Sequence, residues 1–187
     1  VDDFEEADGL FQARHLIADY LQSEPDEVSF RNDLIGQIRT QEGFSVDRVA
    51  QLIRYLPPVG PADNLAGQPQ PAVFRMAGDN GALPAIVQLP AEYSAARAYP
   101  VLVVLSRGGM TDEQTLQWWS AQANRHGYLL VAPELYPAAE SVYDAAADDH
   151  RRMAELLQSV KSRLHVDDDR VFIAGHGIGG EAAMDLA

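Results

Sequence analysis

The sequence predicts an α/β fold, a mostly parallel sheet covered by helices and preceded by a small helical region. Three observations predict it. Apolar runs without polar alternation recur at 101–105, 128–132 and 171–174, the pattern of strands buried on both faces. Stretches with helical spacing separate these runs, and strands alternating with long crossovers make a parallel sheet with helices on both sides. Residues 1–56 carry helical spacing and no strand-like run.

Composition narrows the function classes. Apolar residues make up 47% of the 187, normal for a chain with a real core. The net charge of −14 argues against nucleic acid or an anionic membrane surface as partner, since both call for basic patches. With no cysteine, disulfides, thiolate metal sites and a thiol nucleophile are excluded. No metal-ligand spacing is evident, and no metal or cofactor is expected. No apolar run reaches membrane-spanning length. The acidic opening lacks an initiator Met and a signal-peptide core, so the numbering is expected to begin inside a longer or processed protein.

The elements follow in order. Leu10, Ala13, Ile17 and Leu21 space a first helix behind an acidic first turn. Pro25 is placed to open a second, with Phe30, Leu34, Ile35 and Ile38 as its stripe. After Gly43, Ser45 caps a third carrying Val49, Leu52, Ile53 and Leu56, which Pro57 and Pro58 end. The helical region thus covers 1–60. It serves either as a docking module for a protein partner or as an extension packed on the rest. Residues 61–71, rich in Pro, Gly, Asn and Asp, read as a linker.

From 72 to 187 the sheet domain begins with strands at 72–76 and 85–89, a hairpin around the Gly78-Asp-Asn-Gly81 turn. Thr111 and Gln114 form a capping box for a helix whose Leu116, Trp119 and Ala123 share a face and which His126-Gly127 stops. Ser141 starts a long helix with Ala146, His150, Met153, Leu157, Val160 and Leu164 on one side. Asp167–Asp169 is a turn, and Val171 opens the strand that the fold centres on.

That strand runs through Gly175, His176, Gly177, Gly179 and Gly180 into a helix of good formers, 181–187. Such a corner aims backbone N–H groups at one spot. Two chemistries compete for it. Gly175, Gly177 and Gly180 fit the dinucleotide fingerprint G-x-G-x-x-G. Gly175 and Gly179 fit the nucleophile elbow G-x-S-x-G, with Gly177 where serine would stand.

Residues 72–187 resemble the α/β-hydrolase family, in particular its dienelactone-hydrolase, prolyl-oligopeptidase and carboxylesterase-like branches. The resemblance rests on Tyr99-Pro-Val-Leu-Val-Val-Leu before a Gly-rich loop, on Gly127-Tyr-Leu-Leu-Val-Ala-Pro, and on Val166-Asp-Asp-Asp-Arg-Val-Phe-Ile-Ala-Gly-His-Gly-Ile-Gly-Gly. The last is similar to the family's stretch ending Gly-His-Ser-x-Gly-Gly. The dinucleotide fingerprint, by contrast, asks for a following strand and an acidic residue about twenty positions on, and seven residues follow Gly180.

The resemblance implies esterase- or peptidase-like chemistry, which needs a nucleophile, a base, an acid and an oxyanion hole. Gly177 has no side chain to attack with. The resemblance places the oxyanion-hole donors at the N–H of Ile178 and in the loop around Arg107 and Gly108, where Ser106-Arg107-Gly108-Gly109 stands in place of the family's frequent His-Gly-Gly. Arg107 reads either as a carboxylate binder or as a solvated loop residue. The family's acid and base lie beyond the elbow by many residues, and His15, His126, His150, His165 and His176 are assigned structural roles. The expectation is a hydrolase-family protein without its serine. Its alternatives are an active esterase or peptidase in which Gly177 is a variant or engineered position, and a dinucleotide binder. The expected ligand is a small acyl or peptide compound. The strand at 171–174 lacks a later neighbour, so a longer protein or an oligomer is expected to complete the sheet.

Overall fold

A computed structural model describes residues 2–41, 45–53, 56, 58, 71–78, 82–137, 139, 142–144, 146 and 148–187, with 2–7 by backbone alone. Gly43, Pro57, the 61–70 stretch, Asp79–Gly81 and Ser141 lie outside the described residues. The chain divides into two compact units, Val1–Gly60 and Pro61–Ala187.

The first unit holds α1 (Asp2–Gln22), α2 (Val28–Thr40) and α3 (Val46–Ile53). Ile17, Ile38 and Leu56 form its small core, with Leu21, Val49 and Leu52 against them. Ser45 Oγ accepts the Arg48 N–H at 3.2 Å and caps α3. Two expectations need correction. Pro25 sits in the turn before α2, because Glu24 and Asp26 carbonyls accept Glu27 and Val28 N–H groups there. Phe30 and Ile53 are exposed, and the buried face of α2 is Leu34 and Ile38 alone.

The second unit is the α/β fold the sequence predicts. Its strands are β1 (Val73–Met76), β2 (Ala85–Gln88), β3 (Tyr99–Leu105), β4 (Leu129–Pro133) and β5 (Val166–Gly175). Its helices are α4 (Asp112–His126), α5 (Asp149–Arg163) and α6 (Ile178–Leu186). The sheet order is β1-β2-β4-β3-β5. β1 and β2 form an antiparallel pair, β2 is antiparallel to β4, and β4, β3 and β5 are mutually parallel. In register, Val103 faces Val131 on one side and Ile173 on the other.

This order places the helices. The β3–α4–β4 crossover moves one way along the sheet and β4–α5–β5 moves back past β3, so right-handed connections put α4 and α5 on opposite faces. The two cores agree. Val101, Val103, Leu105, Leu129 and Val131 pack with Met153, Leu156 and Val160 of α5 and Ala182 of α6. Leu102, Val104, Leu130 and Ala132 pack with Leu116, Trp119 and Ala123 of α4. α4 leaves β3 toward one face of the sheet and α6 leaves β5 toward the other, and the carboxyl ends of these two neighbours therefore bound a crevice, the usual ligand position in such sheets.

Other corrections concern β5 and α5. β5 starts at Val166, so Asp167–Asp169 lie in the strand, beside an irregularity in register between Tyr99 and Val101. It is an edge strand, in keeping with the lack of a later neighbour, but Phe172 is 46% exposed where burial on both faces was expected. α5 begins at Asp149. Its buried carboxylate accepts the Ala146 N–H at 3.2 Å, a bond made from outside the helix to its first residue. Ala146 therefore lies outside the helix, and His150 is exposed, 3.5 Å from Asp185.

Candidate functional site

The crevice is built from two loops. The first is the corner between β5 and α6. Gly177 has φ 60° and ψ −128°, a backbone that L-residues avoid, and it caps α6. A Cβ on Gly175 would meet Gly179 O at 2.0 Å, and one on Gly179 would meet Leu105 O at 2.5 Å and Ser106 O at 2.7 Å. Both glycines are thus spacers that let α6 lie against the ends of β5 and β3. Gly180 differs, since a Cβ there would find Gly175 O at an ordinary 3.5 Å. Around Gly177 the nearest atom to an added Cβ would be Arg107 Cβ at 3.9 Å, so the position is strained but open.

The glycine pattern separates the two sequence readings. The dinucleotide fingerprint uses its third glycine for close helix–strand packing, but Gly180 has room. The tight positions are 175 and 179, the two glycines of the elbow spacing.

Helix starts leave N–H groups unpaired. Gly179 N–H reaches His176 O, and the N–H groups of Gly180 and Glu181 both reach Gly177 O. The Ile178 N–H has no acceptor among the described residues, and neither do those of Arg107 and Gly108. The three donors predicted from the sequence are therefore unclaimed at the ends of two adjacent strands.

The loop after β3 is held from beneath by a buried polar cluster. Ser106 is 5% exposed, and its hydroxyl donates to Asp112 Oδ1 at 2.5 Å. Thr115 Oγ1 donates to Ser106 Oγ at 3.1 Å, and the Tyr136 hydroxyl donates to Ser106 O. Burial pushes the Asp112 carboxyl above the usual range, against the pull of the Ser106 bond, and the Glu134 and Glu113 carboxylates add to the rise. Burial, then the nearby Asp112 charge, pushes Tyr136 up to about 12, which keeps it a donor at neutral pH. Ser106 is committed to this cluster and is no free nucleophile.

Above the loop, Arg107, Met110, Trp118 and His176 line an open cleft of about 380 Å³. The His176 ring meets Trp118 edge to face, centroids 6.2 Å apart. Sequence reasoning missed Trp118. The signal was there: Leu116, Trp119 and Ala123 share the core face of α4, which turns the adjacent tryptophan outward. Among the remaining histidines, His165 is buried with Nδ1 3.0 Å from Ala95 O, His15 lies 2.9 Å from Phe11 O, and His126 ends α4. Among the described residues none of the five imidazole rings is hydrogen-bonded to Ser106 or to the elbow backbone. Among the described residues no cluster of metal-ligating side chains occurs.

No family model and no curated protein matches the chain. Solved structures that are similar include an S-formylglutathione hydrolase from Agrobacterium tumefaciens, 18% identical over 62% of this chain and 51% of that one, TM-score 0.43. A poly(3-hydroxybutyrate) depolymerase from Bordetella parapertussis is 22% identical over 67% and 48%, TM-score 0.49. A hyperthermophilic esterase from the archaeon Pyrobaculum calidifontis is 21% identical over 86% and 51%, TM-score 0.47. The chain spans about half the length of these structures.

Proposed function

We propose that residues 72–187 belong to an α/β-hydrolase-type domain whose acyl site lacks its serine, so that this chain binds small acyl or peptide compounds without forming an acyl-enzyme. The observation that carries the reading is the turn at Gly177. It has the sharp strand-to-helix geometry of a nucleophile elbow, tight glycines on either side, and the unclaimed N–H of Ile178 next in sequence. The Arg107–Gly108 backbone, in the loop after β3, is the source of the second donor in such sites. Together these groups suit an oxygen that carries developing charge. What is absent is a side chain at 177 to attack the carbonyl.

A second reading has one observation in its favour. The space at Gly177 is open, so a serine side chain fits there, as expected if glycine is a variant of an active enzyme. One experiment separates them. The natural protein in its full length is incubated with p-nitrophenyl acetate and its intact mass followed. The proposal expects no acetyl adduct and no enzyme-dependent release of nitrophenol. An acetylated Gly177 protein that turns over would overturn it. The alternative expects the Gly177→Ser protein to show both.

A further inference from the structure

The cleft beside the elbow has a chemical bias of its own. Among the described residues its one charged lining residue is Arg107, whose Nε donates to Met110 Sδ at 2.9 Å, a weak acceptor. The remaining guanidinium N–H groups have no partner among the described residues. The chain carries 28 carboxylates against 14 lysines and arginines, and Arg75, Arg151, Arg152 and Arg170 are each bonded to at least one. Arg107 is bonded to none of the described carboxylates while lining a concave surface. The cleft's other wall is aromatic: Trp118 is 59% exposed, and the His176 ring stands perpendicular to the indole, centroids 6.2 Å apart.

We propose that this cleft selects ligands that carry a carboxylate on a flat apolar body, the carboxylate paired with Arg107 and the body lying against Trp118. A guanidinium presents a planar fork that matches a carboxylate, and an indole face gives a planar body a large contact. One guanidinium balances one charge, and the surrounding negative field disfavours a dianion. A volume of about 380 Å³ accommodates a bicyclic ring. The inference rests on the acyl-site reading and adds the ligand class to it.

The test is calorimetric titration of the full chain with 2-naphthoate, with 2-naphthamide as its uncharged counterpart. Naphthoate should bind about 10- to 100-fold more tightly than the amide, the range for a hydrogen-bonded charge. Arg107→Met should bring naphthoate down to the level of the amide. Trp118→Ala should weaken both. Equal affinity for the two probes, or an Arg107→Met protein that keeps its preference, overturns the inference. 2-Naphthylphosphonate binding more tightly than naphthoate would also overturn it, in favour of a dianion site. The readout is binding and not turnover. Acetylation of the Gly177 protein would therefore defeat the functional proposal and leave this result standing.

Discussion

Replacing Gly179 by alanine tests the packing on which the site depends. The new Cβ would lie 2.5 Å from Leu105 O and 2.7 Å from Ser106 O, and ordinary contact begins at 3.4 Å. Roughly 0.9 Å of movement is therefore required (3.4 − 2.5), and both opposing atoms are backbone, so no side chain can rotate away. Overpacking of this kind costs about 1–3 kcal/mol, and the upper end applies because the strand end must shift. Alanine's helix preference returns up to about 1 kcal/mol. Gly180→Ala is the matched control. It sits in the same helix turn, its Cβ has 3.5 Å of clearance, and only the preference acts, which stabilises by up to about 1 kcal/mol. The two variants should differ by about 1–3 kcal/mol, or roughly 5–15 °C in the melting temperature of a unit this size. Circular dichroism on heating measures it. Equal melting temperatures would mean that α6 does not rest on the end of β3, and the crevice as described would not exist.

Other predictions follow from the same loops. Asp112 has its pKa raised, chiefly by burial. As pH climbs from about the ordinary 3.8, the unfolded carboxyl loses its proton first, so stability falls until the folded carboxyl also ionises, and then levels off. Asp112→Asn, which still accepts from Ser106, should flatten that part of a urea-midpoint profile measured between pH 4 and 7; an unchanged slope would refute the assignment. Thr111 accepts the Gln114 N–H and Gln114 returns a bond to the Thr111 N–H at 3.0 Å. Thr111→Ala should cost about 0.5–2 kcal/mol in urea unfolding, and a neutral variant would contradict the capping box. Titration with NAD or FAD should leave the fluorescence of Trp118 and Trp119 unchanged, and saturable quenching would restore the dinucleotide reading.

Much of the sheet was legible because β3 and β4 lie between α4 on one side and α5 and α6 on the other, and burial on both faces leaves an unbroken apolar run. For β5 the same rule held only in part: the missing later neighbour was legible and β5 is an edge strand, but the burial on both faces that its apolar run suggested is not kept, and Phe172 ends half exposed. The start of α5 was misread because Ala146 keeps the helical spacing while Asp149, three residues on, captures its N–H. At the site, glycine spacing alone allowed two chemistries. Only the distances at Gly179 and Gly180 distinguish a spacer from a tolerated glycine. Ser106 shows the remaining limit. Its partners Asp112, Thr115 and Tyr136 are 6, 9 and 30 residues away, brought together by the end of β3, the first turn of α4 and the loop after β4.

The bond from Tyr136 to Ser106 O reaches further than the carbonyl it touches. A trans peptide is rigid and planar, and its C=O and N–H point in opposite directions. The carbonyl of residue 106 and the amide hydrogen of residue 107 belong to one such plate. A phenol gripping one edge thereby aims the other edge, like a hand on a rudder bar. Removal of that hydroxyl, as in Tyr136→Phe, would touch nothing in the cleft, yet would free the plate to swing and blur the direction in which Arg107 offers its backbone proton.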